Sequence, residues 1–200
     1  MKKYYPSFVD NDFKDKYRVL DVPSAWSGLE KIISAIINDF RVKTDLAVEF
    51  GVDYGYSLSV LSNLFKKVVG VDTFKGDEHS GSRNPEEHFN AVEKNFKDYD
   101  NVVLIKDYYQ NFIKNDHNPE NKEKIDLIHI DIVHTFKDTY RLGLWSIENC
   151  PVVIFHDTES FPDVSKALNK IKAENKINYY NYPFFNGLGI LTKRDKPRIN

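Results

Sequence analysis

Two short segments of this 200-residue chain combine the side chains that acid–base and metal chemistry require. His134 follows Asp131 by three residues, and His156 and Asp157 are adjacent. An imidazole titrates near neutral pH and can therefore accept a proton from a hydroxyl group. Carboxylates and imidazoles also bind divalent metal ions, which stabilise negative charge or activate a water molecule. These residue types predict either a general base beside a metal or the metal centre of a hydrolase.

A glycine turn precedes both segments, in the stretch AVEFGVDYGYSLS. An apolar run ends at Glu49, and Gly51 and Gly55 follow it. Ser57 then opens an apolar run with helical spacing. A strand, a glycine turn and a helix in this order offer backbone N–H groups to nucleotide-like ligands. The turn lacks the middle glycine of the dinucleotide fingerprint, and no lysine follows Gly55 as it would in a phosphate loop. The pattern favours a nucleoside-like ligand without phosphate.

Acidic residues end the next two apolar runs. Asp72 ends KVVGVD and can accept from the two hydroxyl groups of a ribose, while Asp107 ends VVLIKD and can accept from an adenine amino group. Glu49 adds negative charge where the ligand would carry a cation. A nucleoside with a positive charge and no phosphate is S-adenosylmethionine (SAM), which these residues favour as the cofactor.

Five short apolar runs, rich in valine and isoleucine, supply the strands that would position these residues. Such runs are typical of strands that are buried on both faces of a sheet. Segments of helical length separate them, which predicts a parallel sheet with helices on both faces. Ligands bind at the carboxyl ends of such strands, where the acidic residues and histidines lie. The runs cover residues 46–50, 67–72, 102–107, 126–131 and 151–157.

A terminal hairpin follows the last predicted helix, residues 163–176. The extended stretches INYYNYPFF and GLGILTK are joined by Asn186 and Gly187, a pair that is typical of a tight turn. One strand of this pair must therefore run antiparallel to its neighbour.

Composition excludes several classes of protein. The net charge is -2, with 28 basic and 30 acidic side chains, which argues against a nucleic-acid partner. No apolar run is long enough for a membrane span, and the first residues lack the apolar core of a signal peptide. The single cysteine, Cys150, permits no intrachain disulfide. These features predict a cytoplasmic protein of one domain, and a homo-oligomer is compatible with them.

The chain resembles the class I SAM-dependent methyltransferases, in particular the small group that is related to macrolide-sugar O-methyltransferases and occurs among glycan-modifying enzymes. The matching stretches are VEFGVDYGYS, VDTFKGDEHSG, IDLIHIDIVHTF, VVIFHDT and NGLGIL. The resemblance implies a Rossmann-like α/β fold with a seven-stranded, mostly parallel sheet and an antiparallel C-terminal strand. It implies a methyltransferase domain over residues 23–195, after an N-terminal arm over residues 1–22. The implied SAM contacts are Glu49, Gly51, Gly55, Ser57, Asp72 and Asp107.

The resemblance also implies roles for the histidine-containing segments. Related sugar O-methyltransferases use an Asp-x-x-His pair, which places Asp131 on Mg²⁺ and makes His134 the general base. Asp157 matches a second metal carboxylate. His156 stands where relatives carry a further acidic ligand, so the metal is Mg²⁺ or another, softer divalent cation that accepts imidazole. The implied reaction is transfer of a methyl group to a hydroxyl of a sugar or a glycosylated small molecule.

The polar stretch KGDEHSGSRNP follows the Asp72 strand directly. Its composition is that of a solvated loop, but the resemblance places this motif next to the cofactor. A loop there can close over a site and exclude water. Asp77 and His79 are then candidates for contact with the substrate, and Arg83 is a candidate to hold an anionic group.

Three other functions compete with methyl transfer. The histidine and aspartate cluster is compatible with a metal-dependent hydrolase. An NAD-dependent oxidoreductase is the second alternative, and the missing middle glycine and the terminal hairpin argue against it. A SAM-binding protein without catalysis is the third. Among the remaining histidines, His129 is expected to be a hydrogen-bonded core residue, and His88 and His117 are expected to be exposed.

Overall fold

Strands and helices alternate along the chain and build one sheet. The computed structural model describes residues 1–114 and 124–195. Within these ranges the strands are β1 (Lys2–Lys3), β2 (Leu46–Phe50), β3 (Lys67–Asp72), β4 (Val102–Lys106), β5 (Leu127–Ile130), β6 (Val152–His156), β7 (Asn178–Tyr182) and β8 (Leu188–Thr192). The helices are α1 (Phe13–Lys16), α2 (Glu30–Asp39), α3 (Tyr56–Ser62), α4 (Pro85–Asn95), α5 (Tyr109–Lys114), α6 (Phe136–Asn149) and α7 (Pro162–Glu174).

The strand order in the sheet is β1-β7-β8-β6-β5-β2-β3-β4. All pairings are parallel except those of β8, which runs antiparallel to both β6 and β7. The predicted α/β class, the parallel sheet and the antiparallel C-terminal strand are therefore confirmed. The expected count of seven strands is one too low for the described residues, because the two-residue β1 pairs with β7 at the edge of the sheet.

Alternating strand residues contact two separate layers of helices, one on each face of the sheet. Ala47 belongs to the core that α2, α3 and α4 share, whereas its neighbour Val48 belongs to the core that α5, α6 and α7 share. This is the pattern expected of central parallel strands, whose side chains are buried on both faces.

The first residues pack against the same core. Tyr4 and Phe13 are fully buried, and the Tyr4 hydroxyl donates to Asp39 at the end of α2. Leu20 donates its backbone N–H to Ser59 in α3. Within the described residues, no helix combines the length and the apolar character that a membrane crossing needs.

The order of the strands reverses between β2 and β5. β2 pairs with β3 on one side and with β5 on the other. The connection after β2 leads to β3, whereas the connection after β5 leads to β6, which lies on the opposite side. In open α/β sheets such a switch point opens a crevice outside the carboxyl ends of the strands. The glycine turn and the Asp131 segment both begin there.

Candidate active site

A cavity of about 580 Å³ lies at the carboxyl ends of the parallel strands. This volume falls in the range of pockets that enclose small ligands, about 300–1,000 Å³. Segments that follow β2, β3, β4, β5 and β6 all contribute to its wall. The predicted residues that line it are Gly51, Ser57, Asp72, Asp77, His79, Arg83, Asp107, Asp131, His134, His156 and Asp157.

The two glycines of the turn are required by close packing. Gly51 has φ 90°, and a Cβ atom at this position would overlap the backbone carbonyl of Asp131. Gly55 has φ 92° at the start of α3, and a Cβ atom there would overlap the ring of Phe96. Only glycine adopts such φ values without strain. The turn therefore brings its backbone against Asp131, while Gly55 itself lies outside the cavity lining.

Asp72 holds the glycine turn in place through its carboxylate. Oδ2 accepts from the backbone N–H groups of Val52 and Asp53, at 2.7 and 3.0 Å, and Oδ1 accepts from Phe74 at 2.7 Å. A carboxylate has about four acceptor positions. Among the described residues, one position, on Oδ1, is therefore left for a ligand, so that a ribose can donate one hydrogen bond to Asp72 and not the expected two.

Asp107 has a structural partner as well. Its Oδ1 accepts from the backbone N–H of Tyr108 and from the side chain of Asn111, both at 2.7 Å, which ties Asp107 to the start of α5. The adjacent Gln110 lines the cavity, and its buried Oε1 has no hydrogen-bond partner among the described residues. A buried amide oxygen without a donor is unfavourable by about 1–3 kcal/mol. A ligand amino group at this end of the cavity would satisfy it.

Four ionisable side chains converge at the other end of the cavity. His134 Nε2 lies 2.8 Å from Asp157 Oδ2 and 3.7 Å from Asp131 Oδ1. His156 Nδ1 lies 3.1 Å from Asp131 Oδ2 and 3.5 Å from Asp157 Oδ2. Ligand atoms of Asp131, His156 and Asp157 all lie within 4.8 Å of one another. This donor set of two carboxylates and one imidazole fits a divalent metal ion.

The two carboxylates dominate the electrostatics of this cluster. Burial alone would lower the pKa of His134, but hydrogen bonds and charge from Asp131 and Asp157 outweigh it and raise the pKa to about 9. The pKa of His156 is raised in the same way against its burial, chiefly by Asp131. Burial would raise the pKa of Asp131, yet the two histidines hold it well below its usual range. The cluster thus stabilises positive charge between its carboxylates.

His134 is fixed by packing and is not a helix cap. Thr135 caps α6 instead, because its hydroxyl accepts from the backbone N–H of Asp138 at 3.1 Å. The His134 imidazole stacks on the ring of Phe161, with centroids 3.9 Å apart and planes 7° from parallel. His79 contacts both rings edge-on, at 5.5 Å from His134 and 4.8 Å from Phe161. His79 therefore reaches the cluster, as expected of a residue near the substrate.

Glu49 does not line the cavity, which disagrees with its expected contact to the cofactor. Its side chain is fully buried, and Oε1 lies 2.6 Å from Nδ1 of His129, which is also fully buried. His129 is thus the hydrogen-bonded core histidine that its position inside a strand predicts. Burial raises the pKa of Glu49, against the opposing effects of His129 and Ser57.

The loop that follows β3 is held by its own side chains. Asp77 Oδ1 accepts from the backbone N–H groups of His79 and Ser80, so this oxygen is engaged within the loop. Arg83 pairs with Asp53 of the glycine turn and covers the ring of Tyr54 at 4.6 Å. Arg83 was expected to hold an anionic group of a ligand. Such a group would have to compete with the carboxylate of Asp53.

The expectation that His88 is exposed is wrong. Its side chain is buried, and Nε2 lies 3.1 Å from the carbonyl oxygen of Asp53. His117 lies outside the described residues. Phe161, Gln110 and Asp53 also line the cavity, and reasoning from the sequence did not single them out as site residues. Gln110 follows Asp107 by three residues, which is the only signal that pointed toward it.

Residues 48–158, more than half of the chain, match the family model described as "Methyltransferase domain". No curated protein matches the chain significantly in sequence.

Solved structures with the same fold include several methyltransferases. An O-methyltransferase from Bacillus cereus, in complex with SAH, is 14% identical, with a TM-score of 0.63 over 90% of this chain and 86% of that one. The SAH-bound methyltransferase PaMTH1 from Podospora anserina is 14% identical, with a TM-score of 0.57 over 91% and 92%. The O-methyltransferase NovP is 15% identical, with a TM-score of 0.60 over 84% and 78%.

The family match spans the glycine turn, Asp72, Asp107 and the histidine and aspartate cluster. The chain belongs to the methyltransferase-domain family and has the fold of a class I SAM-dependent methyltransferase.

Proposed function

We propose that this protein transfers a methyl group from SAM to a hydroxyl group of an acceptor. The observation that carries this proposal is the position of His134. Its imidazole lines the same cavity as the glycine turn and lies beside the carboxylates of Asp131 and Asp157. A general base must lie within hydrogen-bond reach of the proton that it takes. One cavity thus combines room for a methyl donor with a base for the acceptor.

The donor is proposed to lie between the glycine turn and the start of α5. Asp72 offers its one remaining acceptor position to a ribose hydroxyl, and Gln110 offers its unpartnered Oε1 to the adenine amino group. Asp107 stabilises this region through its hydrogen bonds to Tyr108 and Asn111 at the start of α5. When bound, SAM supplies a methyl group on a positively charged sulfur, which the net negative charge of this end of the cavity favours.

Asp131, His156 and Asp157 are proposed to hold a divalent cation. The support is the convergence of their ligand atoms within 4.8 Å. When bound, the ion would lower the pKa of a nearby hydroxyl and would offset the two carboxylates that raise the pKa of His134.

The side chains around the acceptor then have separate tasks. His134 takes the hydroxyl proton while the new oxygen–carbon bond forms and the carbon–sulfur bond of the donor breaks. Phe161 holds the imidazole plane, so that the base keeps its orientation between the two carboxylates. His79 covers this end of the cavity and limits the access of water.

The acceptor is proposed to be a sugar or a glycosylated small molecule. This part rests on the resemblance of the sequence to sugar O-methyltransferases. The polar side chains of His79, Ser160 and Asn186 line the same end of the cavity and can form hydrogen bonds with a polyhydroxylated ligand. Arg83 also lines the cavity, but its guanidinium is already paired with Asp53. This pairing is compatible with an acceptor that carries no charge.

Calorimetric titration of SAM into the full chain tests the cofactor, with Asp72→Asn as the variant. Asparagine keeps the size of the side chain but replaces one acceptor oxygen with a donor, so we expect weaker binding by about tenfold or more. Transfer of labelled methyl groups to a panel of free and glycosidic sugars then tests the reaction. Absence of SAM binding to the wild-type protein would contradict the methyltransferase function. SAM binding without transfer to any hydroxyl would indicate a binding protein without catalysis.

A further inference from the structure

The imidazole of His156 is oriented by a backbone group on its far side. The side chain is almost fully buried, and Nε2 lies 3.2 Å from the carbonyl oxygen of Phe185. A carbonyl only accepts hydrogen bonds, so Nε2 must carry the hydrogen and donate it to the carbonyl oxygen of Phe185. In the neutral ring Nδ1 is then unprotonated and directs its lone pair at Asp131 and Asp157. This is the arrangement in which a second partner fixes the tautomer of a metal-binding histidine.

The carbonyl of Phe185 belongs to a turn that is hydrogen-bonded to the segment after Asp157. Phe185 and Asn186 have φ values of 54° and 66°, and Gly187 continues the left-handed turn with φ 90°. The carbonyl of Asn186 accepts from the backbone N–H of Glu159 at 2.9 Å, which joins this turn to the segment after Asp157. The His156 ring therefore cannot rotate away from the carboxylates without losing this partner.

Both carboxylates of the cluster are also fixed by the backbone. Asp157 has φ 63°, an unfavourable conformation for a residue with a side chain, which persists where the surrounding structure demands it. Asp131 follows β5, and its backbone carbonyl lies directly against Gly51. The separations of 3.1 and 3.5 Å from His156 Nδ1 to the two carboxylates are close to the ~3 Å between adjacent ligands of an ion with bonds of about 2.1 Å.

The identity of the donor atoms determines which ions this cluster prefers. Mg²⁺ binds oxygen ligands and loses its water reluctantly, whereas imidazole nitrogen favours transition ions such as Co²⁺, Ni²⁺ and Zn²⁺. We infer that Asp131, Asp157 and Nδ1 of His156 form a site that selects a first-row transition ion over Mg²⁺. This inference rests on the metal site of the proposed function, and it narrows the divalent cation of that site to one class of ions.

Calorimetric titration of Co²⁺ and of Mg²⁺ into the metal-free full chain, without SAM, tests this selectivity. We expect Co²⁺ to bind about a hundredfold more tightly than Mg²⁺. In His156→Asp, an oxygen replaces the nitrogen, so the ratio of the two affinities should fall by about tenfold or more. The visible absorption bands of bound Co²⁺ should shift in the same variant, because they report the exchange of nitrogen for oxygen among the ligands.

His79→Ala is the matched control, because it removes a neighbouring imidazole that is not one of the three ligands. It should leave both the ratio and the Co²⁺ spectrum unchanged. If His156→Asp does not fold, His156→Gln is measured in its place. Equal affinities for the two ions in the wild-type protein, an unchanged ratio in the His156 variant, or no metal binding at all would each overturn the inference. SAM titration in EDTA is independent of these results, so the cofactor proposal can stand if the metal inference fails.

Discussion

The imidazole of His134 stacks on the ring of Phe161, with centroids 3.9 Å apart and planes only 7° from parallel. Two residues from separate strand ends thus meet face to face at the wall of the cavity. Replacing the ring by Phe161→Leu should lower kcat by about tenfold, because a base that is slightly misplaced loses much of its effect. Phe161→Tyr keeps the ring and is the control. Steady-state kinetics together with SAM affinity check this, and a reduced affinity for SAM with unchanged kcat would contradict a role in orienting His134.

His134→Gln should remove the general base while leaving the cofactor end intact. We expect kcat to fall by about 10²- to 10⁴-fold, the usual contribution of acid–base catalysis. SAM affinity should change little, since Asp72 and Gln110 lie at the other end of the cavity. Single-turnover methyl transfer measures the first quantity and calorimetry the second. Full activity in this variant would show that another group takes the proton.

Gly51→Ala should destabilise the protein by about 2–4 kcal/mol and also disturb the metal cluster. The added Cβ atom would overlap the carbonyl of Asp131, and the φ of 90° is strained for alanine. Gly81→Ala is the matched control, because Gly81 also has a positive φ but no atom of the described residues lies within 4 Å of an added Cβ atom. It should cost only about 1 kcal/mol. Urea unfolding of both variants checks the difference, and equal losses would mean that strain and not overlap determines the effect.

The buried pair of Glu49 and His129 should be worth far more than an exposed pair of similar geometry. Removal of either buried partner leaves the other without its hydrogen bond, which costs about 3–5 kcal/mol. The exposed pair of Lys66 and Asp45, at 2.7 Å, should contribute less than about 1 kcal/mol. Double-mutant cycles with Glu49→Gln and His129→Gln, and with Lys66→Ala and Asp45→Ala, measure both couplings. Similar coupling energies would contradict this ranking.

Cys150 should react slowly with thiol reagents in the native protein. Burial raises the pKa of its thiol to about 12, so little thiolate is present at pH 8. The pKa of an unfolded cysteine is near 9.0, so the stability that the buried thiol contributes is complete below pH 9 and is lost as the pH rises toward 12. The rate of labelling with a chromogenic disulfide at pH 8, with and without urea, measures the reactivity of the Cys150 thiol in the native and unfolded protein. Fast labelling without urea would mean that the thiol is accessible.

The apolar runs were sufficient to predict the central sheet. Each of the five runs forms a strand, because nearly continuous apolar residues are typical of strands that are buried on both faces of a sheet. The polar exceptions Glu49 and His129 pair with each other inside the core. The antiparallel strand β8 was also predictable, since Asn186 and Gly187 favour a tight turn. The edge strand β1 was not, because its two exposed lysines pair through their backbone and carry no apolar pattern.

The amino-acid sequence by itself determined the fold class, the end of the sheet where the site lies, and the candidacy of Asp131, His134 and Asp157. These follow from residue types and short spacings along single strands. Only the tertiary structure decided that Phe161 stacks on His134, that Phe185 orients His156, and that Glu49 points into the core and not into the cavity. The first two contacts join residues that are far apart in the chain. The orientation of Glu49 depends on which face of its strand each alternate side chain occupies. Both are determined by the packing between elements.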